Sequence, residues 1–217
     1  MISKFSLENK VAIISGGTGV LGSSIAMSFC KSGVKVVVLA RNKDKIDQIV
    51  NQLQKSGGEA VGFECNVISK QSVEDVSLKI LKTFGKIDIL LNAAGGNMPG
   101  ATIGENQNIF DLSLEEFSKV TELNLNGSVI PSLIFGKVMA KQKSGVIINY
   151  SSMSTDRVIS RVVGYSASKA AIENFTKWMS VEMALKFNGK IRVNAIAPGF
   201  FIGNQNKDLL LNPDGSY

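Results

Sequence analysis

Tyr165 and Lys169, in the run Tyr165-Ser-Ala-Ser-Lys169, stand four residues apart. A helix advancing about 3.6 residues per turn therefore brings them to one face, one turn apart. A phenol held beside an ammonium can do acid/base chemistry, because the fixed cation favours phenolate over phenol and eases proton transfer near neutral pH. The chain has no histidine, which removes the commonest general base and the commonest metal ligand. Tyr165 and Lys169 take the role by elimination, although the same spacing also occurs on helices that do no chemistry.

Elements able to position such a pair are visible along the chain. Six short apolar runs, Val11 to Ser15, Val34 to Ala40, Ala60 to Cys65, Ile87 to Asn92, Val146 to Ser151 and Ile191 to Ala197, are unbroken rather than alternating. That pattern predicts strands buried on both faces. Between them lie segments with helical spacing, such as Ile46, Ile49, Val50 and Leu53, or Val73, Val76 and Ile80. Strands alternating with helices predict a parallel sheet in a single α/β domain, with no repeat or linker. Ser113-Leu-Glu-Glu116 has capping-box spacing, and Gly33 and Gly57-Gly58 follow helices as stops. The stretch from Gly95 to Leu112 is long for an α/β connection and marks a functional or disordered loop.

Composition narrows the classes further. At 44% hydrophobic and 19% charged the chain is ordinary globular material, without a run of about 18 apolar residues or a cleavable apolar leader. A cytoplasmic protein with no membrane partner is expected. Cys30 and Cys65 form no Cys-x-x-Cys pair, so they read as core residues rather than as a metal site or a disulfide. The net charge of +6 comes from scattered Lys and Arg without a basic run, which suits an anionic cofactor or substrate better than a nucleic acid.

Directly after the first strand comes Ser15-Gly-Gly-Thr-Gly-Val-Leu-Gly22, opening an apolar helix with Ile25, Ala26 and Phe29. Small residues let the backbone turn tightly and approach a pyrophosphate, whose charge then meets a helix N-terminus. Gly17-x-Gly19-x-x-Gly22 fits the dinucleotide fingerprint, and its place in the first strand-turn-helix gives the spacing its meaning. The second strand ends Ala40-Arg41-Asn42. A carboxylate there would bind the ribose hydroxyls of NAD, whereas Arg41 can pair with a 2′-phosphate, so NADP is favoured with NAD the alternative. Arg41 as a solvated or adenine-stacking cation is the competing reading.

Taken in order, the glycine turn, Asn92-Ala-Ala-Gly95, Asn124-Leu-Asn-Gly127, Ser151-Ser152, Tyr165-Ser-Ala-Ser-Lys169 and Pro198-Gly199 make the chain resemble the short-chain dehydrogenase/reductase family over nearly its whole length. The resemblance implies a doubly wound Rossmann fold with strand order 3-2-1-4-5-6. It implies that Tyr165 exchanges a proton with the substrate oxygen. Ser152, thirteen residues earlier, would hold that oxygen, Lys169 would support the tyrosine and bind the nicotinamide ribose, and Asn124 would orient a relay water. The cofactor residues it implies are Gly16, Gly17, Thr18, Gly19, Val20, Leu21 and Gly22 in the turn, then Arg41 and Asn42, Asn66 and Val67, and Asn92, Ala93, Ala94 and Gly95. Tyr165, Lys169, Pro198 and Gly199 complete that set. Ser152 as a strand-end hydrogen-bonder and Asn124 as a helix kink or cap are the structural alternatives. The chain departs from the family pattern at Val20, where glycine is usual, at Asn66, often aspartate, and at Gly203, often threonine.

A narrower likeness is to the D-mannonate oxidoreductase (fructuronate reductase-like) branch. It rests on the glycine turn, Ala94-Gly-Gly-Asn97, Ser151-Ser-Met153, Arg157, Arg161 and Ala197-Pro-Gly-Phe-Phe201 with Gln205-Asn206. It implies an anionic sugar acid, with Arg157 and Arg161 meeting its carboxylate and Asn97, Gln205 and Asn206 its hydroxyls, alongside Ser152. Surface or subunit contact is the alternative for both arginines. A 3-oxoacyl-type reductase of the same family and a catalytically silent nucleotide-binding protein are the rival functions. Family members usually continue past this point with a substrate-covering segment and a seventh strand, so the resemblance implies a chain cut within its substrate lid, the seventh strand missing, its turnover reduced or absent. It also implies a homo-oligomer, a tetramer in full-length relatives, packed through the helices near residues 115–142 and 164–187.

Overall fold

The computed structural model describes residues 5–187 and 189–201. Its elements alternate as β1 (Val11–Ser15), α1 (Val20–Lys31), β2 (Lys35–Ala40), α2 (Lys43–Lys55), β3 (Ala60–Glu64), α3 (Lys70–Phe84) and β4 (Ile89–Asn92), followed by a long loop. Then come α4 (Leu114–Thr121), α5 (Gly127–Gln142), β5 (Gly145–Tyr150), α6 (Val163–Lys186) and β6 (Ile191–Ile196). All six strands lie parallel in the order β3-β2-β1-β4-β5-β6. Order reverses between β1 and β4, and in open α/β sheets the carboxyl edge at such a reversal is where a ligand crevice is expected. No described helix is long and apolar enough to cross a membrane.

Strand periodicity distributes the core to two sides. Val11 and Ile13 of β1 point to one face, with Val37, Leu90 and Ile147, against Val73, Val76 and Ile80 of α3, Phe135 and Met139 of α5 and Met179 of α6. Ala12 and Ile14 point to the other, with Val36 and Val38, against Ala26 of α1 and Ile46 and Leu53 of α2. Phe135, Ile13 and Ile80 are fully buried, each side chain contributing about 1.5–3 kcal/mol by leaving water. Cys30 and Cys65 are free, buried in different layers, and desolvation pushes both thiols up.

Burial on both faces holds for β1 and β4 and fails at the two edges. In β3 only Ala60 is buried. In β6 Ile191 and Val193 are buried while Arg192 and Asn194 are exposed, an alternation that ends at Ala195 and Ile196, both exposed. Edge strands have one neighbour each, and only the inner face of β6 packs on the layer holding α6, so its apolar run does not translate into two covered faces.

Helix ends follow local chemistry. Asn42 caps α2 by accepting the Lys45 N–H at 2.8 Å, and Ser113 caps α4 by accepting that of Glu116 at 3.3 Å. Glu116 does not return to the backbone as a full capping box would; its carboxylate meets Lys119 at 2.8 Å. Gly33 and Gly57 stop α1 and α2 at φ 74° and 85°. Between α4 and α5 the backbone takes a π-helical turn, Glu122–Asn126, a form that recurs at functional sites. The long loop carries two short 3-10 turns, Pro99–Ala101 and Ile109–Asp111.

Candidate active site

At the carboxyl end of β1 the chain turns through Gly16 at φ 67°. A Cβ on Gly16 would lie 2.7 Å from the Ala93 carbonyl oxygen, and one on Gly22 would lie 2.4 Å from the carbonyl oxygen of Gly16. The turn is closed by the Gly19 N–H donating to the Gly16 carbonyl at 3.0 Å. Gly19 is the N-cap of α1, with no side-chain cap and no acidic residue in the first turn, so the amides of that turn face the crevice without a competing anion. Thr18 and Leu21 belong to the same turn, and Val20, where glycine is usual, opens α1 half exposed. Beside it, Ala93 donates to the Ser15 carbonyl at 3.2 Å and Ala94 to the Ser15 hydroxyl at 3.3 Å, bringing the ends of β1 and β4 together. Such a side-chain-free cradle fits a dinucleotide pyrophosphate.

Around the cradle, Arg41 is exposed at the end of β2, while Asn42 spends its side-chain oxygen on the α2 cap. Asn66, exposed after β3, accepts the Ile68 N–H at 3.3 Å through its amide oxygen, and Val67 is buried. Asn92 is buried under the crevice rather than lining it. Its Nδ2 lies 2.8 Å from Asn149 Oδ1, 2.9 Å from Ser132 Oγ and 3.3 Å from the Ser128 carbonyl.

Lys169 is buried on α6, and its ammonium donates to the carbonyl of Tyr150, the last residue of β5, at 2.8 Å. It lies 5.5 Å from the centre of the Tyr165 ring, one helical turn back. Burial lowers its pKa from the ordinary 10.5 to about 8. Asn124, fully buried in the π turn, accepts the Gly96 N–H at 3.0 Å and donates to the carbonyls of Gly96 at 2.8 Å and Val120 at 2.9 Å. A Cβ on Gly95 would lie 2.6 Å from Asn124 Oδ1 and 3.5 Å from Lys169 Nζ, so the amide and the ammonium meet across a residue that has no room for a side chain. Ser152, two residues past β5, is buried, and its hydroxyl accepts the Ser154 N–H at 3.2 Å. Its proton is thereby left to donate outward.

Beyond this cluster the structure is selective. Asn97 donates to the Thr102 hydroxyl at 2.6 Å and leaves its Oδ1 buried without a partner. Arg161, at φ 71°, donates from Nε to the Ile103 carbonyl at 2.6 Å, accepts the Ile103 N–H at 2.9 Å, and lies 3.7 Å from Glu105. It therefore fastens the long loop to the segment before α6. Arg157 is exposed. Pro198 accepts the Met153 N–H at 3.2 Å, with the exposed Gly199 following it. Gln205, Asn206 and Gly203 lie outside the described residues. Two main-chain partners carry no residue-type signal in the sequence: the Tyr150 carbonyl that meets Lys169 and the Gly96 backbone that meets Asn124.

Comparison with known proteins shows the family and the fold. The family model described as short chain dehydrogenase matches residues 10–212. An uncharacterized oxidoreductase of Bacillus subtilis (strain 168), UxuB, is 41% identical over 98% of this chain and 78% of its own length. A 3-oxoacyl-[acyl-carrier-protein] reductase of Synechocystis is 32% identical over 96% of this chain and 81% of its own. Among solved structures, a candidate D-mannonate oxidoreductase from Haemophilus influenza with bound NAD superposes with TM-score 0.89 at 37% identity, covering 97% of this chain and 78% of that one. An actinorhodin polyketide ketoreductase variant with NADPH gives 0.84 at 28%, covering 96% and 76%.

Proposed function

The chain belongs to the short chain dehydrogenase family, and from that premise we propose that it interconverts a carbonyl and a secondary alcohol on a sugar acid, with NADP the preferred cofactor. A bound nicotinamide dinucleotide supplies or accepts the hydride. The amides of the Gly16–Gly22 turn bind its pyrophosphate, and Arg41, exposed and making no ion pair among the described residues, favours a 2′-phosphate. Solved relatives carry either NAD or NADPH, so this preference rests on Arg41 alone.

The observation that carries the reading is the buried Lys169 ammonium 5.5 Å from the centre of the Tyr165 ring. The Ser152 hydroxyl donates to the substrate oxygen, holding it as charge develops. Tyr165 gives that oxygen its proton in reduction and takes it back in oxidation. Lys169, cationic below about pH 8, attracts the charge left on the phenol oxygen. Its one bond to Tyr150 leaves two further N–H donors for a ribose hydroxyl or a relay water, and Asn124 Oδ1 keeps one lone pair for that water.

For the substrate, the unpaired Asn97 Oδ1 supports a hydroxyl-bearing molecule and the exposed Arg157 an anionic one, in keeping with the Haemophilus relative, whereas Arg161, engaged with Ile103 and Glu105, is a loop fastener. The Synechocystis relative supports a 3-oxoacyl substrate instead. NADPH oxidation with D-fructuronate, set against a 3-oxoacyl thioester, decides between them. Turnover of the thioester alone would overturn the sugar-acid assignment. Homo-oligomer formation is supported by Trp178, Val181 and Leu185, exposed along α6, and by Leu133 on α5. There Leu133, Gly136, Met183 and Phe187, with Lys137 and Lys141 beside them, line a groove of about 360 Å³. It lies roughly 20 Å along α6 from Lys169, too far to be the substrate site.

A further inference from the structure

Ser152 is flanked by two hydroxyls, Ser151 and Thr155, that converge on one carboxylate oxygen. Ser151 Oγ lies 2.5 Å and Thr155 Oγ1 2.8 Å from Glu173 Oε1. Thr155 Oγ1 is also 2.9 Å from the Ser152 carbonyl, but that carbonyl already accepts the Thr155 N–H at 3.2 Å. The single hydroxyl proton therefore goes to the charged acceptor, which makes the stronger bond. Glu173 stands four residues after Lys169 and eight after Tyr165, so one face of α6 presents phenol, ammonium and carboxylate in successive turns.

Residues 151–155 need such an anchor. Their one regular element is the three-residue 3-10 turn Met153–Thr155, and their main-chain ties run to the other side, Ser151 to Ile196 at 2.8 Å and Met153 to Pro198 at 3.2 Å. Among the described residues no hydrogen bond other than the two to Glu173 joins 151–155 to α6. The Ser151 and Thr155 bonds, with Lys177 nearby, hold the Glu173 carboxyl below its ordinary value against the opposing effect of burial.

We propose that Glu173 is a positioning residue: by binding the hydroxyls on both sides of Ser152 it fixes the Ser152 hydroxyl relative to the Tyr165 and Lys169 carried on its own helix. This rests on the reading of Ser152 and Tyr165 given above. Glu173 Oε1 is engaged by Ser151 and Thr155, so its loss is expected to act on the chemical step and leave nucleotide binding alone.

The test compares Glu173→Leu, which removes the acceptor, with Glu173→Gln, which keeps a side-chain oxygen for both hydroxyls. Hydrogen exchange of the 151–155 amides, read by mass spectrometry, needs no turnover. It is expected to quicken in Glu173→Leu and stay at the parent rate in Glu173→Gln. In steady state with NADPH and D-fructuronate, kcat of Glu173→Leu falls about 10- to 100-fold, Glu173→Gln recovers most of it, and NADPH affinity is unchanged in both. In a Ser152→Ala background, Glu173→Leu adds no further loss. Parent exchange rates and parent kcat in Glu173→Leu would overturn the proposal, as would a full additional loss in the Ser152→Ala background. Parent-level turnover by Ser152→Ala itself would instead overturn the underlying assignment of Ser152.

Discussion

Replacing Lys169 by methionine should stabilise the protein at neutral pH while removing its turnover. Burial lowers the pKa of Lys169 from 10.5 to about 8. At about 1.4 kcal/mol per unit, keeping the ammonium charged inside the fold costs about 3 kcal/mol. Methionine has similar reach and no charge to desolvate. It abandons the hydrogen bond from the ammonium to the Tyr150 carbonyl, 2.8 Å in the parent, and the loss of that charge-assisted bond takes back about 2 kcal/mol. The net expectation is about 1 kcal/mol of added stability near pH 7. The pH dependence follows from the sign of the shift. Between about pH 8 and 10.5 the unfolded chain holds a proton that the folded one has released, so parent stability rises with pH across that window. Below it the penalty is present in full. Lys169→Met lacks the rise, so its advantage shrinks as pH increases. Urea unfolding of both proteins at about pH 7 and about pH 10 reads the effect as a difference between midpoints. A variant less stable than the parent at neutral pH, or an advantage that does not shrink with pH, would refute the reasoning.

Three other outcomes are expected. Gly22→Ala forces a methyl to within 2.4 Å of the Gly16 carbonyl oxygen, so the turn must open and NADPH affinity, read by fluorescence titration, should fall at least about tenfold; parent affinity would contradict the cradle. Arg41→Ala should weaken NADPH by about tenfold and leave NADH unchanged, whereas equal losses would remove the basis for the NADP preference. Asn92→Leu strips the buried donor from Asn149 Oδ1 and Ser132 Oγ and should cost about 2–3 kcal/mol in urea unfolding with little change in NADPH affinity; a loss of binding without a loss of stability would place Asn92 in the nucleotide site instead.

The strands were legible because each is a short apolar run between helical segments, and their ends fell within two residues of the expected ones. β4 begins at Ile89 rather than Ile87, and β5 spans Gly145–Tyr150 rather than Val146 to Ser151. Their differing burial was not legible, since β3 and β6 read like central strands and only their place at the sheet edges exposes them. The glycine turn and the Tyr165–Lys169 pair were legible from residue type and spacing, whereas Asn124 and Ser152 were proposed only through the family resemblance. The devices that hold them were not legible. The Asn124 amide is set by a π turn and by the backbone of Gly96, Lys169 by the carbonyl of Tyr150, and Arg161 by its bonds to Ile103, none of which residue type announces. Asn42, read as a cofactor contact, has its side-chain oxygen engaged as a helix cap, a role that Asn before a helix plays for purely local reasons.

The central claim is that Tyr165 is the proton donor of a nicotinamide-dependent oxidoreductase. Its most direct test is the rate of NADPH oxidation with D-fructuronate by the parent and by Tyr165→Phe, each shown by titration to bind NADPH. The account predicts turnover by the parent and a loss of at least about 100-fold in Tyr165→Phe with nucleotide affinity preserved. Equal turnover by the two proteins would contradict it.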